Sequence, residues 1–121
     1  MTTFQTEDLK EGALDWAAAI AYGLELSDEN LPIWFDDHGA HDVFHPSRRW
    51  SQGGPIIECV PIELIVTPLS ERERWKACIT PNPRSPHYAF WRYGPTPLVA
   101  AMRCYVAARL GDSVDIPEGL P

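Results

Sequence analysis

At 121 residues and 13.6 kDa the chain has room for one domain with a core of its own, and none for a second. Its 45% hydrophobic content excludes a disordered chain. The formal charge of −7 is lopsided: residues 1–45 carry ten acids against one base (−9), residues 46–121 seven acids against nine bases (+2), and so acidic a front half counts against duplex binding.

The predicted elements begin with a helix capped by Thr6, with Glu7 and Asp8 set against its positive end. Leu9, Ala13, Trp16, Ala17, Ile20 and Ala21 recur at spacings of three and four and make one apolar stripe. Glu11 and Asp15 fall off that stripe and are expected in water. Gly23 followed by Leu24 reads as a left-handed stop with its apolar latch. Residues 31–35, with Pro32 near the start, predict a short edge strand. Residues 36–49 are polar, broken by Gly39 and Pro46, and read as loop. Gln52-Gly53-Gly54-Pro55 predicts a turn, because adjacent glycines supply backbone angles that other residues avoid.

A β-rich stretch follows. Residues 56–60 and 62–67 read as strands separated by Pro61; residues 74–80 alternate Trp75, Ala77 and Ile79 onto one face; residues 87–93 alternate too and are dense in aromatics. Prolines 81, 83 and 86 exclude helix and central strand for the stretch between, leaving a hairpin loop. A second helix opens with Thr96 as N-cap and Pro97 at the first helical position. Its stripe is Leu98, Ala101, Met102, Tyr105, Val106 and Leu110, Gly111 ends it, and Arg109 suits its negative end. The acidic tail, residues 113–121 above all, is expected to fray.

Cys59, Cys78 and Cys104 are isolated thiols with no C-x-x-C spacing, which fits a reducing compartment and counts against zinc held by cysteine. There is no basic leader with an apolar core, and no apolar run approaches the roughly 18 residues of a membrane span. The expected location is the cytoplasm of the host cell.

Three blocks resemble a known family. Gly12-Ala13-Leu14-Asp15-Trp16-Ala17, then Pro46-Ser47-Arg48-Arg49-Trp50-Ser51-Gln52-Gly53-Gly54-Pro55-Ile56-Ile57-Glu58, then Gly94-Pro95-Thr96-Pro97-Leu98-Val99-Ala100-Ala101-Met102-Arg103-Cys104-Tyr105-Val106-Ala107 with Leu110-Gly111-Asp112, are similar to the NinX-like family of small phage and prophage proteins. The resemblance implies an accessory protein of tailed phages, often encoded among recombination or lysogeny genes, and a fold like the phage α-β-α sandwich domains. The family is known as a domain of unknown function, so it supplies no catalytic residues. The chain departs from the family pattern between Pro32 and His45 and in the proline-rich loop after Thr80.

Two constellations are candidates for chemistry. Residues 36–45 gather three histidines and three aspartates, and Asp37, His38, His41 and His45 are the candidate ligands for a divalent metal. Against this, Gly39 and Pro46 interrupt a helix there, and the glutamate of H-E-x-x-H is missing. The second is Trp50, Gln52, Gly53, Gly54 and Glu58, an aromatic anchor beside rigid backbone that reads as an interaction surface. It is no phosphate loop, since neither a Lys-Ser/Thr pair nor a helix start is expected there. Arg48 and Arg49, and the sign-alternating residues 71–76, do not form a nucleic-acid stripe. Ser47, Ser51 and Ser85 lack the G-x-S-x-G context of a hydrolase. Cys104 reads as an inert core thiol, and Trp16, Trp75 and Trp91 read as core.

These readings amount to one α+β domain, residues 1–121, with an N-terminal and a C-terminal amphipathic helix packed on a small antiparallel sheet. The leading functional expectation is a non-catalytic module that binds a host or phage protein, with no cofactor, nucleic acid or membrane, and with a homodimer left open by the surplus of Trp. The alternatives are a metal-binding protein or metal-dependent enzyme built on residues 36–45, and an acidic DNA mimic that presents Glu7, Asp8, Glu11 and Asp15.

Overall fold

The computed structural model describes residues 1–26, 32–35, 41–80 and 90–120. In chain order these form β1 (Thr2–Gln5), a 3₁₀ turn (Thr6–Asp8), α1 (Glu11–Tyr22), β2 (Ile33–Phe35), β3 (His41–Val43), α2 (Trp50–Cys59), β4 (Glu63–Val66), β5 (Trp75–Ile79), β6 (Phe90–Gly94), α3 (Pro97–Leu110) and β7 (Ser113–Ile116). All the strand pairs are antiparallel: a three-stranded sheet β4-β5-β6, a β1–β7 ribbon and a β2–β3 ribbon. The class is α+β, as expected.

The helix signals that act over a few residues hold. The Thr96 side chain accepts from the Val99 N–H at 3.2 Å, and Pro97 opens α3. Gly23, at φ 88°, closes α1 by donating to the Ala19 and Ile20 carbonyls, and the Leu24 N–H also reaches Ala19 at 3.0 Å. Thr6, however, does not cap α1. It is buried in the 3₁₀ turn, its N–H donating to the Asp112 carbonyl at 2.8 Å and its hydroxyl accepting from Arg92 Nε at 3.2 Å.

α3 is the centre of the molecule. It lies on β5 and β6 with one side and against α1 with another, which buries it almost all round. Ala17, Ala18, Ala19, Ala100 and Ala101 are all at 0% exposure, and small side chains of this kind let the two helix backbones approach. In the sheet, alternation acts as expected: Ala77 and Ile79 are buried beneath α3 and Trp75 is half-buried.

Three expectations need correction. Residues 50–59 are helix, not a turn followed by a strand. Two glycines and Pro55 make this a poor helix on propensity, about 1 kcal/mol per Gly and 3 for Pro relative to Ala, so tertiary contacts must decide. Gln52 is buried and bridges backwards, accepting from the His45 N–H at 2.5 Å and donating to the Val43 carbonyl at 2.8 Å. A Cβ on Gly53 would lie 2.4 Å from the Pro46 carbonyl oxygen and 2.7 Å from Leu98 Cδ2, so only glycine lets the helix seat there. Second, residues 41–43, expected as loop, form β3 and pair with β2 in the register Ile33↔Val43, and the Trp34 ring stacks on Phe44 at 5.1 Å. Third, residues 113–116 are not frayed: β7 pairs with β1 from Thr2↔Ile116 to Gln5↔Ser113, with Val114 and Ile116 in the core. Both β1 and this pairing escape a local reading, because the partners stand at opposite ends of the chain. The hairpin loop expected around prolines 81, 83 and 86 lies outside the described residues.

Candidate functional site

Asp15, expected in water, is 2% exposed. Burying a carboxylate is costly unless it is paired and hydrogen-bonded, and here every partner comes from one distant segment. Oδ1 accepts from the Ser47 N–H at 3.0 Å and from the Ser47 hydroxyl at 2.6 Å; Oδ2 takes Arg48 Nη2 at 3.1 Å and lies 3.1 Å from His45 Nδ1. Arg48 Nη2 also lies 2.7 Å from His45 Nδ1. A guanidinium only donates, so the imidazole nitrogen serves Arg48 as acceptor or Asp15 as donor, one at a time. Asp15 thus pins residues 45–48 to α1, while Gln52 pins residues 43–45 to α2. Only an acid set between Leu14 and Trp16, in a run from Gly12 to Tyr22 that carries no other charge, signals this in the sequence.

Chemically the cluster is a fastener. The Ser47 hydroxyl donates to the Asp15 carboxylate and not to the imidazole, and the same carboxylate also holds the Ser47 N–H and Arg48. Cys104, in the core, has its thiol pushed up by burial to about 12, far from a reactive thiolate.

Ser47 and Arg48 also line one wall of a groove of about 730 Å³. Glu7, Asp8, Lys10 and Glu11 come from the approach to α1, Arg72 and Glu73 from the β4–β5 turn, and Trp91, Arg92, Tyr93 and Arg103 from β6 and α3. Two of the arginines hold the frame. Arg103 donates to the Leu9 and Tyr93 carbonyls at 2.7 and 2.9 Å, and burial pushes its guanidinium below the usual range, with Asp8 and Glu7 drawing it back. Arg92 bridges Thr6, the Trp91 carbonyl and Asp112. Trp91 is not core: it is 51% exposed on the outer face of the sheet, where Lys76 Nζ lies 5.8 Å from its ring and 5.9 Å from that of Tyr93. Trp16 is buried, and its indole N–H has no hydrogen-bond partner among the described residues.

Of the expected site residues, the structure describes some and not others. His45 belongs to the Asp15 cluster and His41 lies in β3, while Asp37 and His38 lie outside the described residues. Among the described residues no three His, Cys, Asp or Glu side chains come together as a metal site. Of the expected interaction surface, Trp50 is 55% exposed and Glu58 is exposed, Gly54 is half-buried, and Gln52 and Gly53 face inward. With Asp15 buried, the row of acids that a DNA mimic would present loses its fourth member.

The family model for bacteriophage P22 NinX matches residues 5–109, a span that holds the Asp15 cluster and the groove. No curated protein matches. Among solved structures, a 2.0 Å crystal structure of a phage protein from Bacillus cereus ATCC 14579 is similar with a TM-score of 0.58 and 15% identity, over 87% of this chain and 97% of that one. At that identity the likeness concerns the fold alone.

Proposed function

This chain belongs to the bacteriophage P22 NinX family, and we propose that it serves the phage as a non-catalytic accessory protein that binds a host or phage protein. The observation that carries this reading is the groove beside β6, where a half-exposed indole and a tyrosine stand among charges of both signs. Aromatic and arginine side chains are the types that dominate protein interfaces. Mixed charge suits a polypeptide carrying both signs better than a polyphosphate, which the acids Glu7, Asp8, Glu11 and Glu73 oppose. The place of action is the host cytoplasm, in keeping with three free thiols. No helix among the described residues is long and apolar enough to cross a membrane.

The test is capture from host lysate by wild type, Trp91→Ala and Trp50→Ala at micromolar concentration. A partner kept by wild type and Trp50→Ala but lost by Trp91→Ala supports binding in the groove. The opposite pattern moves the contact to α2. Failure of the wild type to retain any partner, or equal retention by all three, removes the reading.

A further inference from the structure

The two margins of the β4-β5-β6 sheet are finished differently. The Thr67 N–H donates to the Arg74 carbonyl at 2.6 Å, just beyond the pair Val66↔Trp75. In an antiparallel ladder residues alternate between facing the neighbouring strand and facing away, so Ile65 and Glu63 bond β5 while Leu64 and Val66 turn their N–H and C=O outward. The same alternation, carried through β5, turns the Trp91 and Tyr93 backbones outward at the far margin. There the outward carbonyls are covered, Trp91 by Arg92 Nη1 at 2.7 Å and Tyr93 by Arg103 Nη1 at 2.9 Å. At the β4 margin no strand pairs among the described residues, and Ile65, Val66 and Leu69 are 39%, 58% and 62% exposed. Bare apolar edges are ordinarily blunted by lysine, proline or a covering side chain. Here Glu63 and the flanking Pro61 and Pro68 guard the two ends of the edge and leave Ile65 and Val66 bare between them.

We propose that this edge is the contact between two copies of the chain, joined antiparallel through β4 about a two-fold axis at Ile65. This does not rest on the groove reading. In that register Leu64 stands opposite the partner's Val66, and each donates its outward N–H to the other's outward C=O. Ile65 meets the partner's Ile65, an aliphatic pair at the axis. Glu63 falls opposite the partner's Thr67, so the carboxylates are kept apart. α3 makes its main sheet contacts with β5 and β6, set back from the β4 margin. A one-residue slip would set inward side chains against outward ones and misalign the amides. The aliphatic pair at the axis and the separation of the carboxylates are what suit a second copy. Four residues per strand give an interface below the standard of about 1,600 Å², so association belongs in the micromolar range.

The experiment is sedimentation equilibrium over a concentration series into the high micromolar range, on wild type, Ile65→Glu and Val66→Pro. Ile65→Glu sets two carboxylates face to face at the axis, while within one chain it gains Lys76 opposite, so the fold is kept. Val66→Pro removes an outward N–H that the β4–β5 ladder does not use. The expected result is a wild-type mass rising toward twice 13.6 kDa, with the dissociation constant weakened at least about tenfold in each variant. A mass that stays monomeric at the top of the series overturns the proposal. So does a dimer that Ile65→Glu leaves as tight as wild type, and Ile65→Glu decides the matter should Val66→Pro fail to fold.

Discussion

Replacing Asp15 by alanine is the sharpest probe of how this fold is held. The substitution strips the Ser47 N–H and hydroxyl of their acceptor, and Ser47 is 3% exposed, so neither recovers water easily. A buried polar group left unpaired costs about 1–3 kcal/mol, and two of them set the scale of the loss. The Arg48 side chain is 48% exposed and that of His45 23%, so both rehydrate and add little. The sum is about 2–6 kcal/mol, a large part of the roughly 5–15 kcal/mol that holds a domain together, and a midpoint lowered by about 10–20 °C. Urea melts followed by Trp fluorescence and circular dichroism measure it. Asp15→Asn, which keeps one acceptor oxygen, should lose less, and Ser47→Ala about 1–2 kcal/mol. In a double-mutant cycle the Asp15 and Ser47 losses should be strongly non-additive. A loss below about 1 kcal/mol for Asp15→Ala, or additive losses, would refute the buried fastener.

Four further outcomes follow from the packing. Gly53→Ala should destabilise by about 1–3 kcal/mol because its methyl meets the Pro46 carbonyl, a backbone atom that cannot swing aside, whereas Gly54→Ala, with nothing within 4 Å, should stabilise α2 by about 0.5–1 kcal/mol; equal effects in thermal melts would contradict the seating of α2. Iodoacetamide at pH 8 should modify exposed Cys59 rapidly and Cys104 only on unfolding, as mass spectrometry of peptides would report. Because the Cys104 pKa is raised from 9.0 to about 12, its contribution to stability is complete below 9 and is lost as pH rises toward 12; a melt no less stable at pH 11 than at pH 8 would count against this. Ile116→Ala should cost about 2–5 kcal/mol in a urea melt, since Ile116 is 2% exposed, and a silent substitution would return the tail to solvent.

What could be read from the sequence alone was whatever is decided within a turn or two of chain. Thr96-Pro97 and Gly23-Leu24 place helix ends through bonds that close within a few residues, and the alternation of Trp75, Ala77 and Ile79 marks a strand face by its own period. The family was legible for the same reason, as unbroken runs of residues that the match over residues 5–109 covers. The tertiary structure decided the rest. Gly53-Gly54-Pro55 opposes a helix locally and is held in one by Gln52 and by a close approach to Pro46 that only a glycine allows. β1 and β7 have no short-range reason to pair and do so because the ends of the chain meet beside α1. Asp15 looks like a solvent-facing acid until residues 45–48, some thirty positions away, deliver its donors. An isolated window of sequence records what a side chain is, but burial of a charge depends on which groups arrive from elsewhere to satisfy it.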